Sequence, residues 1–226
     1  MIDIHSHVIF GVDDGAKTLE QSLQIIKEEI DNGITDLICT PHYRAGMFDA
    51  SIESIEKNFL ILKEEVSKQN LSINLYLGRE VYFDKSLYKN IDCYKLNSKN
   101  IILLEFSYYE NPDVEEIIYN LTRIGYSAII AHVERYSYLT INDFKRLKDN
   151  NIFFQINAST IVGKSGLKNK RLAFKLIKEG LVDFISSDIH YNRNNFMKQS
   201  YDVIYKKFGK DIACKLFKTN ASFLIE

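Results

Sequence analysis

Seven short apolar runs, separated by longer amphipathic stretches, constrain this chain more than any other feature. They read MIDIHSH, DLICTPH, SINLYLGRE, NIILLEF, SAIIAHVER, FFQINAS and DFISSDIH. Between them the apolar spacing changes to that of a helix face. Leu19, Leu23, Ile26 and Ile30 follow a Thr18/Gln21 capping box and stop at Asn32-Gly33. Ile52, Ile55, Phe59, Leu62 and Val66 mark a second helix, and Asn111-Pro112 opens a third through Ile117, Ile118, Leu121 and Ile124. Further helices are expected from near Thr140 and Lys168, with two closing segments at 195–208 and 210–218. This alternation predicts an α/β fold with a parallel sheet, and seven strands suit a barrel of alternating strands and helices better than one open sheet. With 46% hydrophobic residues among 226, only two prolines and no linker, one domain over 1–226 is expected.

Parallel barrels gather their chemistry at the carboxyl ends of the strands. Here those ends carry His5 and His7, His42, Glu80, Glu105, His132, and Asp188 with His190, and Asp14 lies in the loop GVDDGA after the first run. All five histidines of the chain belong to this set. In an extended strand His5 and His7, at i and i+2, point to one face. Each residue has an ordinary reading when taken alone. Glu105 could be a salt-bridged residue, His132 a core histidine, and Asp13-Asp14-Gly15 a turn. Burying so many ionisable groups together without a compensating cation would be costly, so their convergence favours a metal centre.

Imidazole and carboxylate donors without thiolate suit borderline or hard divalent ions. Nine donors are too many for one ion, so two or three ions are expected, with a carboxylate such as Glu80 bridging. Manganese, iron, zinc or cobalt would each suit such a donor set. Paired cations about 3.5–4 Å apart clamp a phosphoryl group and lower the pKa of water. Arg135 and Arg193, each three residues beyond a candidate histidine, are placed to bind phosphate oxygens, and Arg44 is a third candidate for contacting substrate.

Lys+Arg 29 against Asp+Glu 30 gives no sign of a nucleic-acid binder. The N-terminus lacks a signal-peptide pattern and no apolar stretch reaches membrane-spanning length, so a soluble cytoplasmic protein is expected. The odd number of cysteines, Cys39, Cys93 and Cys214, fits a reducing compartment. A cysteine-dependent phosphatase loop needs five residues between thiolate and arginine. Cys39 and Arg44 have four between them.

The series DIHSH, GVDDGA, TPHY, GRE, LLEF, AHVER and SSDIH, in this order along nearly the whole chain, resembles the polymerase and histidinol phosphatase (PHP) superfamily. Within it the series is most similar to the CpsB/YwqE-type bacterial protein-tyrosine phosphatases. The resemblance implies a distorted (β/α)7, TIM-like barrel of the PHP fold with a trinuclear site, commonly manganese, and removal of phosphate from tyrosines in the tail of a bacterial tyrosine autokinase that controls capsule or exopolysaccharide synthesis. It implies that His5, His7, Glu80 and Asp188 hold one ion, that Glu80 bridges to a second held by Glu105 and His132, and that Asp14, His42 and His190 hold the third. Arg135 and Arg193 fall on the family's phosphate-binding arginines. The chain departs from the family pattern in HSH for HCH and AHVER for AHPER.

The alternative is a PHP-type phosphoesterase acting on a small molecule such as histidinol phosphate. A metal-loaded regulatory protein is a reading from another class. Amidohydrolase barrels also begin with His-x-His, but the ligating lysine and eighth strand they usually add have no counterpart in these runs. Tyr108 and Tyr109 are expected in an exposed, ordinary loop.

Overall fold

The apolar runs form the expected parallel strands, but two of the seven are each broken in two. The computed structural model describes residues 1–148 and 152–226. Its strands are β1 (Ile2–Ser6), β2 (Asp36–Cys39), β3 (His42–Tyr43), β4 (Asn74–Leu77), β5 (Glu80–Tyr82), β6 (Lys95–Leu96), β7 (Lys99–Glu105), β8 (Ser127–Ile130), β9 (Ile152–Asn157) and β10 (Phe184–Ser186). Hydrogen bonding joins β1-β2-β4 in one sheet and β3-β5-β7-β8-β9-β10 in another, with short antiparallel β6 beside β7. DLICTPH breaks into β2 and β3 at Thr40-Pro41, where proline cannot donate to a ladder. SINLYLGRE breaks into β4 and β5 at Gly78, where a Cβ would lie 2.5 Å from the Leu96 side chain. Counting each broken run once, the described residues give seven staves. The ring closes where Asp188 N–H donates to His5 O at 3.0 Å and His7 N–H donates to Ile189 O at 2.9 Å.

The helices are α1 (Leu19–Asp31), α2 (Ile52–Lys68), α3 (Val114–Arg123), α4 (Ile141–Lys148), α5 (Ala158–Ile161), α6 (Leu167–Lys178), α7 (Met197–Phe208) and α8 (Lys210–Phe217). Thr18 caps α1 by accepting from Gln21 N–H at 3.3 Å. The start of α3 differs from the expectation at Asn111-Pro112. Asp113 is the cap, accepting from Glu116 N–H at 3.0 Å, because its carboxylate satisfies a first-turn donor that proline leaves unmet. No helix among the described residues is long and apolar enough to cross a membrane.

Strand alternation divides the core. Ile101 and Leu103 of β7 face an inner cluster with Ile2, Ile4, Ile38, Ile129 and Phe184, while Ile102 and Leu104 face the helices. Ala221 and Leu224, in the final turn Thr219–Leu224, plug this interior from the amino-terminal end. The same period carries the inner face of β7 from Leu103 to Glu105, at the opposite rim. On β1 the pairing register slips between Asp3 and Ser6. That irregularity coincides with the change from inward Ile4 to inward His5, as a bulge re-aims a strand.

Candidate metal centre

The nine expected donors come together at the carboxyl rim of the barrel. Glu80, fully buried at the start of β5, is the hub. Its Oε2 lies 3.0 Å from His5 Nε2, 3.3 Å from His7 Nε2 and 3.0 Å from His42 Nδ1, and its Oε1 lies 2.9 Å from His132 Nε2. Asp188 Oδ1 is 3.6 Å from His5 Nε2 and 3.5 Å from His7 Nε2, and Glu105 Oε1 is 3.7 Å from His132 Nε2. On the outer side Asp14 Oδ1 is 3.3 Å from His190 Nε2 and 3.6 Å from His42 Nε2. Three overlapping groups are compact enough to hold an ion: His7, Asp14, His42 and His190; His5, His7 and Glu80; and His42, Glu80 and Glu105. His132 stands between Glu80 and Glu105.

Two features fit these residues to divalent cations. First, His5 Nε2 and His7 Nε2 face each other at 3.2 Å, and Glu80 Oε2 is buried without a hydrogen-bond donor in good geometry. Second, in the absence of cations, protons must supply the positive charge. Burial opposes charge on His7, yet the Asp13 and Asp188 carboxylates raise its pKa well above the ordinary imidazole value. Burial likewise opposes charge on Glu80, but His5 and His42 hold it well below the usual carboxylate range. Ionised carboxylates around imidazole lone pairs are a ligand set for hard or borderline cations.

Groups behind the donors fix their orientation. His7 Nδ1 meets Asp13 Oδ2 at 2.8 Å, and that oxygen also accepts from His42 N–H at 2.9 Å. His5 Nδ1 meets Gln155 Oε1 at 3.2 Å, which accepts from His132 N–H at 2.8 Å, and His190 Nδ1 meets Asp188 O at 3.0 Å. Asn157 Nδ2 donates to Asp188 Oδ2 at 2.6 Å. The sixth run, FFQINAS, ends in no donor, and its Gln155 and Asn157 instead orient donors on the other staves. The loop after β1 fits only glycine at Gly15, where a Cβ would lie 2.0 Å from the His7 carbonyl oxygen. His132 and Asp188 adopt left-handed backbone, φ 34° and 52°, an uncommon conformation for non-glycine residues and one that recurs at functional sites.

Of the arginines, Arg135 reaches deepest: its Nη2 donates to Asp188 Oδ2 at 3.0 Å and its Nη1 to Tyr108 Oη at 2.9 Å. Val133, where the family pattern often has proline, is fully buried. Arg193 lines the same cleft, of about 300 Å³, as does Arg44, whose guanidinium lies 4.1 Å from the Tyr82 ring centre. Tyr108 corrects an expectation. It is not an exposed loop residue; its hydroxyl also donates to Glu105 Oε1 at 2.7 Å, tying a candidate ligand to Arg135, while Tyr109 is 95% exposed. Asp13, Gln155, Asn157 and Tyr108 are the participants that motif reading missed. Asp13 could have been found, because a carboxylate six residues past His7 on a glycine-pinned loop can fold back onto it.

Comparison with known proteins is consistent with this geometry. The family described as capsular polysaccharide synthesis, CpsB/CapC, matches residues 1–226. The tyrosine-protein phosphatase CpsB of Streptococcus agalactiae is 35% identical, covering 100% of this chain and 98% of that protein. The tyrosine-protein phosphatase CpsB of Streptococcus pneumoniae is 32% identical with the same coverage. A crystal structure from work on YwqE of Bacillus subtilis and CpsB of Streptococcus pneumoniae, described as metal-dependent tyrosine phosphatases, superposes with a TM-score of 0.91. Its sequence is 26% identical, and the match covers 100% of this chain and 94% of that one. The chain therefore belongs to the CpsB/CapC family of capsular polysaccharide synthesis.

Proposed function

We propose that this chain is a manganese-dependent protein-tyrosine phosphatase that acts on the tyrosine-phosphorylated tail of a bacterial tyrosine autokinase in the cytoplasm and so regulates capsular or exopolysaccharide synthesis. Residues 1–226 act as a single phosphatase domain. One observation carries the reading: a buried carboxylate, Glu80, surrounded by four imidazoles at 2.9–3.3 Å on the floor of a cleft that three arginines overlook.

His5, His7, Glu80 and Asp188 would hold one cation, Glu80 with Glu105 and His132 a second, and Asp14, His42 and His190 a third. When bound, the cations supply Lewis-acid stabilisation of phosphoryl oxygens and lower the pKa of water. Arg135 and Arg193 bind the phosphoryl oxygens and offset charge that grows on them in the transition state. Asp13 and Gln155 hold His7 and His5 with Nε2 turned to the centre, and Tyr108 fixes Arg135. Arg44, stacked on Tyr82 at the mouth, meets the peptide that carries the phosphotyrosine. No cysteine lines the cleft among the described residues, and burial pushes the Cys39 thiol far from its reactive thiolate form. That supports a mechanism without a phosphocysteine.

Side-by-side turnover of a phosphotyrosine peptide and histidinol phosphate by the manganese-loaded protein tests the substrate assignment. The peptide is expected to be the better substrate by kcat/KM. A preference for histidinol phosphate would replace this reading with the small-molecule one.

A further inference from the structure

Arg79 and Glu80 are neighbours in the chain but serve different clefts. Glu80 lines the metal cleft, while Arg79 lines a separate one of about 730 Å³ that shares no residue with it. Arg79 is only 4% exposed. Its Nη2 donates to the His42 carbonyl at 3.1 Å, its Nε is buried without a partner, and no carboxylate among the described residues lies within ion-pair distance. The rings of Tyr43 and Tyr94, at 5.2 and 5.8 Å, offset part of its charge through their π faces. A guanidinium has five N–H donors, and a buried one is normally paired with an oxyanion.

The rest of the cleft suits an anion with an apolar body. Phe59, Leu75 and Ile55 form a buried apolar floor, and exposed Lys63 stands over it with Nζ 5.9 Å from the Phe59 ring centre. Two acids also line the cleft. Asp92 is taken up by Lys95, whose Nζ is 2.7 Å away, and by the Tyr126 hydroxyl, whereas Glu56 is exposed on α2. Neither compensates Arg79, and Asp13, which holds His7 on the metal-cleft side, acts on its charge only from beyond ion-pair distance. We propose that this cleft is a second binding site, for a small organic anion whose carboxylate or phosphate pairs with Arg79 and whose apolar part lies on Phe59 and Leu75. Because Arg79 donates to the His42 carbonyl, an occupant would sit one residue contact away from the metal cleft.

Cys93 is exposed and lines this cleft, while Cys214 lies outside it, so alkylation offers a local readout independent of catalysis. Rates of iodoacetamide modification at both cysteines would be followed by peptide mass spectrometry on the full, metal-loaded chain. The additives would be 2-naphthoate, phenylphosphonate or uncharged 2-naphthamide. At least one anion is expected to slow Cys93 saturably, about fivefold or more once most sites are filled, as mass action requires for a ligand at several times its Kd. Cys214 and the naphthamide control should show no change, and Arg79→Gln should abolish the protection. The two anions distinguish a carboxylate from a phosphate preference. No slowing by either anion, equal slowing by naphthamide, or protection that survives Arg79→Gln would overturn the proposal. If Arg79→Gln does not fold, the comparison of anions with amide in the unaltered chain decides it.

Discussion

Replacing Tyr108 with phenylalanine tests whether the proposed phosphate-binding arginine is held in place by its surroundings. The hydroxyl makes two hydrogen bonds, to Glu105 Oε1 at 2.7 Å and from Arg135 Nη1 at 2.9 Å, and both partners are ionised groups. A hydrogen bond to a charged group contributes about 1.5–3 kcal/mol. The Arg135 side chain is 30% exposed and keeps its bond to Asp188, so the loss felt at Arg135 should be nearer to about 1–2 kcal/mol. That corresponds to a fall of roughly five- to thirtyfold in kcat/KM. The ring itself should stay, because it stacks on Tyr136 at 5.9 Å, and phenylalanine preserves that contact. The assay is hydrolysis of a phosphotyrosine peptide at saturating manganese, with metal content measured on the same sample. A variant within twofold of the parent, or one whose loss tracks lost metal, would refute the claim that Tyr108 positions Arg135.

Two predictions concern stability. Tyr136 is fully buried and its hydroxyl accepts from Phe106 N–H at 3.0 Å, so Tyr136→Phe strands a buried donor. The cost is about 1–3 kcal/mol, a drop of roughly 2–10 °C in Tm for a chain of this size, and an unchanged melting curve would contradict it. Glu29 is fully buried. That burial, with the Asp3 charge beside it, raises its pKa well above the ordinary carboxylate range. Between the ordinary value and the raised one the folded chain binds the extra proton, so this part of stability is present at acid pH and is lost as pH rises. Glu29→Gln should therefore gain in Tm relative to the parent between pH 5 and pH 8, and a gain that shrinks over that range would overturn the assignment.

Eight of the nine candidate donors were legible because each sits at the end of an apolar run, where strand polarity alone places it at one rim, and Asp14 was read from the loop that follows the first run. The breaks at Pro41 and Gly78 were not, since each run reads as one continuous strand until its pairing partners are known. A start for α3 at Asn111-Pro112 ignored the better cap at Asp113. Asp13 read as a turn residue because its partner, His7, is reached only when the glycine at Gly15 lets the loop press against the end of β1. Gln155 and Asn157 lie on the stave without a donor, and their part is visible only across the barrel. Tyr108 looked like loop surface because nothing local shows that Arg135, from another stave, reaches its hydroxyl.

The most direct test of the central claim is turnover of a phosphotyrosine peptide by protein stripped of metal and then resupplied with manganese. The donor cluster predicts that stripping abolishes turnover, that manganese restores it, and that two or three ions per chain are bound at full activity. Turnover that persists undiminished after stripping would contradict it.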